Sequence, residues 1–309
     1  MTFSQAVKRN QTFAQLRAEA KTNTHSYMIV SPDTVTSQLF ALSLVSLCTG
    51  KSEEQVEESA DVYFLPQGEK VLISDADFIT SQVHIMPTVL DKKYFIVRNA
   101  ETANEAAQNK LLKTLEEAPE TAVIIMLCAN EYAMLPTVRS RCRIIRPSAY
   151  SDDIVQNVLS GEYGEVDNPS FVVAMADGNL SRLQAAVSGG TEALDSALNL
   201  MVYMRKSGEI LPYATRLIAK KDKLIEIIDC IELILRDCMV VWYRPEHVKL
   251  RDNVMDIREL SSHYTPEAVI RILPHVARAR KRLANAGNVS SVVDQLLFSI
   301  LEEKAKCQR

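Results

Sequence analysis

Six cysteines occur in 309 residues, and no two form a CxxC pair. The sequence therefore lacks the paired-cysteine spacing of zinc ribbons and redox motifs. Cys48, Cys128, Cys142, Cys230, Cys238 and Cys307 are scattered, several within apolar or helical stretches. This pattern predicts buried, reduced thiols in a cytoplasmic protein. No hydrophobic run approaches the roughly 20 residues of a membrane span, which predicts no membrane partner. The first ten residues, MTFSQAVKRN, contain no apolar core of a secretory signal. Internal repeats and low-complexity tracts are absent as well. Positive charge is scarce in one place: residues 151–190 hold six acids, one arginine (Arg182) and no lysine. The overall net charge of −4 argues against a generic polyanion binder. Residues 1–150 carry 15 basic and 17 acidic side chains, and residues 191–309 carry 19 and 16.

What is present can fill a core, since 47% of residues are hydrophobic. The length suggests two or three domains. Short β-branched or aromatic runs recur in the first half: YMIV (27–30), VYFL (62–65), YFIV (94–97), VIIML (123–127) and the shorter RII (143–145). Helical periodicity separates them: residues 36–48, a helix capped by Ser74 or Asp75 and running to about His84, and a helix that Asn104 caps and Pro119 ends. Strands apolar on both faces and spaced by helices imply a parallel sheet covered on both sides. After Pro147 the patterns are helical only. They cover 151–188, then 192–206, 211–219, 222–243, 266–284 and 290–305, the last with Asn288 or Ser290 as its cap. The expected architecture is thus an α/β domain over 1–148, a small helical domain over 149–190 and a larger helical domain over 191–309.

The most specific stretches are NKLLKTLEEAP (109–119) and LPTVRSRC (135–142), with the strand-like AVIIML (122–127) between them. Together with HSYMIV (25–30) and KKYFIVRNAE (92–101), they closely resemble the AAA+ clamp-loader subunits of bacterial DNA polymerase III. ADGNLSRLQAAV (176–187), ILRDCMVVW (234–242) and RARKRLANAGNVSSVVDQLL (278–297) extend the resemblance over nearly the whole chain. Within the family the chain looks most like the delta-prime type. The resemblance implies an AAA+ parallel-sheet domain, a helical lid and a helical collar that joins subunits.

An ATP-binding relative needs a glycine-rich loop, a lysine for the β- and γ-phosphates and a hydroxyl for Mg²⁺. In the loop after YMIV, the glycine positions hold Ser31, Thr34 and Thr36, Ser37 replaces the lysine, and Gln38 replaces the hydroxyl. β-Branched Thr34 and Thr36 disfavour the positive-φ conformations that glycine accepts. The acidic pair expected after the third strand is Arg98 and Asn99, and the polar residue expected at the end of the fourth is Cys128. VLISDAD (71–77) offers an alternative acidic pair, but no LLKTLEE-like helix follows it. Arg182 stands where active relatives reach their own nucleotide; a salt bridge is its expected role here. The reading is a chain that binds no cofactor, with ATP and Mg²⁺ held by a neighbouring subunit.

Arg141 is then the residue of greatest interest. An arginine finger places a planar, permanently charged donor group on a triphosphate bound by another chain. The resemblance assigns that role to Arg141, flanked by Ser140, which orients the turn, and Cys142, which packs inward. Arg139, Arg143 and Arg146 surround it with no acid among them. Lys113 and Glu117 are spaced to pair along a helix, and Glu116 and Glu117 sit where the helix dipole disfavours negative charge. The zinc module of many relatives is not expected, because residues 48–70 hold one cysteine. Arg278, Arg280, Lys281 and Arg282 form a basic run suited to subunit salt bridges or to solvent.

These features imply a non-ATPase scaffold that helps load a sliding clamp onto primed DNA. Its partners would be gamma/tau-like and delta-like subunits, with the sliding clamp and primer–template DNA reached through the complex. The isolated chain would not be an enzyme. A gamma/tau-like ATPase with a divergent phosphate loop is the alternative.

Overall fold

The computed structural model describes residues 1–22, 24–285 and 287–307, the side chain of Cys307 excepted. The expectation of a buried thiol at Cys307 therefore lies outside the described residues. By contact, the chain forms two compact units: residues 1–162 with 178–182, and residues 163–177 with 183–309.

The first unit opens with α1 (Phe3–Arg9) and α2 (Phe13–Glu19). It continues through β1 (Ser26–Val30), α3 (Thr34–Thr49), α4 (Glu53–Glu57), β2 (Val62–Leu65) and α5 (Ile73–Gln82). Next come β3 (Lys93–Val97), α6 (Glu105–Glu116), β4 (Ala122–Cys128), α7 (Pro136–Arg139), β5 (Arg143–Ile145) and α8 (Asp152–Glu162). The five strands form one sheet in the order β2-β3-β4-β1-β5, every pair parallel. Tyr27 pairs with Ile125 on one side of β1 and with Arg143 on the other.

Alternation along the strands fills two cores. Tyr27, Ile29, Tyr94, Ile96, Ile125 and Leu127 pack on one face with Phe13, Leu16, Phe40 and Leu44. Met28, Phe95, Val97, Ile124 and Met126 pack on the other with Ile79, Ala107, Leu111 and Leu115. All seven residues of β4 are buried, which is why its sequence shows no polar alternation.

The local expectations for this unit meet two corrections, at the cap of α5 and at Cys48, while the rejection of VLISDAD as an acidic pair agrees with the structure. Neither Ser74 nor Asp75 is the N-cap of α5; Leu72 is, and its N–H donates to Asp75 Oδ2 at 2.7 Å. Asp75 and Asp77 therefore lie in a helix and not after a strand, so VLISDAD supplies no acidic pair at a strand end. Cys48 is exposed, because the last turn of α3 runs along the surface.

The second unit is helical. It contains α9 (Pro169–Ala176), most of α10 (Leu180–Gly189), α11 (Glu192–Tyr203) and α12 (Ile210–Ala219). It ends with α13 (Leu224–Tyr243), α14 (Val254–Ser261), α15 (Pro266–Ala284) and α16 (Val289–Cys307). The long α13 packs against α11, α14 and α15, and α16 packs against α12 and α15. Asn288 caps α16, accepting from the Ser291 N–H at 3.0 Å. Two ionisable side chains sit inside this unit. Asp237 is fully buried; its Oδ2 accepts from Leu250 N–H at 2.7 Å, and burial pushes its carboxyl up. Lys304 is 3% exposed, and its Nζ donates to the Met201 and Met204 carbonyls at the end of α11. In the basic run, Arg280 pairs with Asp229 at 3.0 Å and Arg282 donates to Gln295.

Candidate functional site

Parallel α/β sheets place ligand sites beyond the carboxyl ends of their strands. In the first unit the ends of β1, β3 and β4 open onto a cavity of about 550 Å³, within the size range of small-molecule sites. Its lining includes Ser31, Thr34, Ser37, Gln38, Arg98, Asn99 and Cys128, so seven scattered sequence positions meet at one place. Gln67, Gly68, Glu69 and Glu101 complete its polar wall. Thr36 and Arg182 are not part of that lining.

The loop after β1 is closed by its own side chains. Asp33 is the N-cap of α3 and is 5% exposed. Its carboxylate accepts from Thr36 N–H at 3.0 Å and from Thr36 Oγ1 at 2.7 Å. It also accepts from the first turn of α10: Leu180 N–H at 2.7 Å, Ser181 N–H at 3.1 Å and Ser181 Oγ at 2.7 Å. Ser31 Oγ accepts from Asp33 N–H at 3.1 Å, and Ser37 Oγ donates to the Asp33 carbonyl at 3.0 Å. Thr34 Oγ1 lies 3.0 Å from Ser181 Oγ. The amides at two helix N-termini, groups that bind anions, are thus satisfied by an internal carboxylate. The sequence reading passed over Asp33, although an aspartate before TVT is an N-cap signal.

On the opposite wall, Arg98 donates from Nη2 to the Pro66 carbonyl at 3.2 Å, with its guanidinium over the Phe64 ring. Asn99 adopts left-handed backbone geometry (φ 49°), which asparagine tolerates. Burial, reinforced by Glu101 and Glu131, pushes the Cys128 thiol up to about 12, so it is a neutral, weak donor. Glu101 Oε2 is buried without a hydrogen-bond partner among the described residues. The lining carries one guanidinium against two carboxylates. No group of three or more His, Cys, Asp or Glu among the described residues is placed to hold a metal ion. Arg182 departs from its expected salt bridge: its side chain is exposed and makes no ion pair among the described residues. Its backbone N–H donates to Asn179 Oδ1 at 2.9 Å.

The arginine cluster lies around α7. Proline at its first position and a Leu135 N–H held at 2.8 Å by the buried Gln108 Oε1 fix where this short helix starts. Gln108 Nε2 donates to the Ala103 carbonyl at 2.9 Å, so both ends of that amide are used. Ser140 Oγ donates to the Thr137 carbonyl at 3.0 Å. Cys142 packs against the core under α6 and α7, and burial pushes its thiol up to about 12. Arg143 pairs with Glu19 at 2.7 Å and Arg146 with Glu131 at 2.6 Å. The Arg139 guanidinium lies 5.3 Å from the centre of the exposed Tyr132 ring.

Arg141 donates from Nε and Nη2 to Glu116 Oε2, at 3.0 and 2.8 Å, and from Nη1 to the Thr137 carbonyl at 3.0 Å. The cluster with no acid in its own segment thus draws its counter-charges from distant segments. The expected Lys113–Glu117 pair does not form, because α6 ends at Glu116 and Glu117 leaves helical geometry (φ −127°, ψ 37°).

Residues 8–150 match the family described as DNA polymerase III, delta subunit. The chain is similar to the DNA polymerase III subunit delta' of Haemophilus influenzae, 26% identical over 64% of this chain and 61% of that protein. It thus spans about three fifths of that relative. It is also similar to the subunit delta' of Bacillus subtilis, 23% identical over 77% of this chain and 75% of the relative. Among solved structures, a DNA polymerase III gamma subunit-related protein of Thermotoga maritima aligns over 96% of this chain and all of that one, with 18% identity and a TM-score of 0.49.

Proposed function

We propose that the chain is a DNA polymerase III clamp-loader subunit of the delta-prime type, a reading supported by the family match over residues 8–150 and by the similar delta' subunits, and that it works without an ATPase site of its own. In this reading Arg141 acts in trans on the triphosphate of a gamma/tau-like neighbour, while a delta-like subunit completes the complex. The complex loads the sliding clamp onto primer–template DNA. Residues 149–190 serve as the lid and 191–309 as the collar.

The observation that carries the reading is the contrast between two anion-facing places. Beside the strand-end cavity, the helix-terminal amides already hold Asp33, and in the cavity itself Glu69 and Glu101 line the wall. A triphosphate would meet like charge and find no lysine. Just beyond α7, by contrast, a guanidinium stands at the surface, 31% exposed, following a short helix whose start is pinned from the core. Arginine is the side chain suited to a transferring phosphoryl group.

Two measurements test this. In the reconstituted complex, Arg141→Ala is expected to leave assembly intact and to lower DNA- and clamp-stimulated ATP turnover by about a hundredfold or more. Unchanged turnover refutes the role. The isolated chain, titrated with MgATP by calorimetry, is expected to show no binding in the micromolar range. The size of the cavity is what favours the alternative, a gamma/tau-like ATPase with a divergent loop, and micromolar MgATP binding would establish it.

A further inference from the structure

Glu116 occupies an unfavourable place by itself. It is the last residue of α6, where the unsatisfied carbonyls carry the negative end of the helix dipole. Its carboxylate nevertheless lies against one specific partner, the Arg141 guanidinium, 25 positions later in sequence. The pair is solvent-exposed, at 57% for Glu116 and 31% for Arg141, so its contribution to stability is small. What it does fix is direction.

A guanidinium has five N–H donors in a rigid plane. Three are used here: Nε and one from Nη2 on Glu116 Oε2, and one from Nη1 on the Thr137 carbonyl. One N–H on each terminal nitrogen has no partner among the described residues. Those two donors are the number that bidentate recognition of phosphate oxygens requires. Arg143 and Arg146 also meet carboxylates, but neither is held by a backbone carbonyl as well among the described residues.

Glu116 also belongs to the helix that locates α7. Gln108, two turns earlier in α6, holds Leu135 N–H, and Glu116 holds Arg141. One rigid element thus sets both the start of α7 and the orientation of the arginine just beyond its end.

We propose that Glu116 is a positioning residue for Arg141: it fixes the guanidinium plane with two donors left for the neighbour's phosphate oxygens. This rests on the reading of Arg141 as the donor in trans. Glu116 stays bonded while Arg141 engages phosphate, because the two ligands take different N–H groups. Without Glu116 the long side chain samples many rotamers, and the productive one must be selected in each catalytic cycle.

The test uses the full chain reconstituted with its ATP-binding neighbour, the clamp and primed DNA, with MgATP turnover as the readout. Glu116→Ala is expected to lower kcat roughly tenfold and to leave KM for MgATP within about twofold. Glu116→Gln, which keeps an acceptor without charge, is expected to fall between Glu116→Ala and the unaltered chain. Glu116→Ala combined with Arg141→Ala is expected to match Arg141→Ala alone, because residues acting as a unit are not additive. A merely structural Glu116 would lower turnover further on the Arg141→Ala background, and that result overturns the proposal. So does unchanged or raised turnover in Glu116→Ala while Arg141→Ala is defective; a rise would mean that Glu116 masks the arginine. If Arg141→Ala itself turns over normally, the reading in trans fails and this proposal fails with it.

Discussion

Lys304 shows what single residues do in this chain that no motif announces. Burial, aided by Arg205, pushes its ammonium down to about 8 from an ordinary value of 10.5. The folded state therefore binds fewer protons than the unfolded state between those values, so stability rises as pH climbs from about 8 to 10.5. Below pH 8 the buried charge imposes a constant cost of about 3 kcal/mol relative to a solvated lysine. Lys304→Met removes that charge and keeps most of the volume. It is expected to raise stability at pH 7 by about 1 kcal/mol and to flatten the alkaline rise, measured as the difference between the two proteins in urea unfolding at pH 7, 8.5 and 10. At this scale sequence reading works when a residue's meaning is local. Asn104 and Asn288 are caps because the helix that needs them is adjacent. The partner of Arg141 was not legible, because Glu116 lies on another helix and only the fold brings them together. The missing salt bridge of Arg182 has the same cause in reverse: an arginine's exposure is decided by its surroundings.

At the scale of elements, apolar patterning was a good guide wherever burial covers both faces. VYFL and RII are strands over those same residues, and the YMIV, YFIV and VIIML runs each grow by one or two residues. The helices α1 and α2 were not anticipated. Each has seven residues, too few for a convincing period, although Thr2 and Gln5 form a capping box. The eight-residue α14 was missed for the same reason of length. α6 carries more than its amphipathic pattern suggests, because Gln108 is a polar residue on its buried face. Gln108→Leu fills the space but strands the Leu135 N–H and the Ala103 carbonyl. It is expected to destabilise the protein by about 2–4 kcal/mol, seen as a lower urea midpoint with an unchanged slope. A change under 0.5 kcal/mol would mean that water replaces the amide.

At the scale of the whole molecule, composition located the change from sheet to helices but not the path of the chain. The first compact unit is discontinuous, because residues 178–182 return to it after residues 163–177 have joined the second. Charge counts and periodicity along a sequence carry no record of such a return. Its agent is Asp33, which reaches amides nearly 150 positions away. A carboxylate shared in this way makes its donors kinetically interdependent: each group that withdraws leaves a buried charge less compensated, so the set is expected to be released together. In hydrogen–deuterium exchange, the amide protons of Thr36, Leu180 and Ser181 should share one protection factor. Asp33→Ala should accelerate all three by a common factor while those of β4 keep their own rate. Faster exchange at Thr36 alone would reduce Asp33 to an ordinary end-cap.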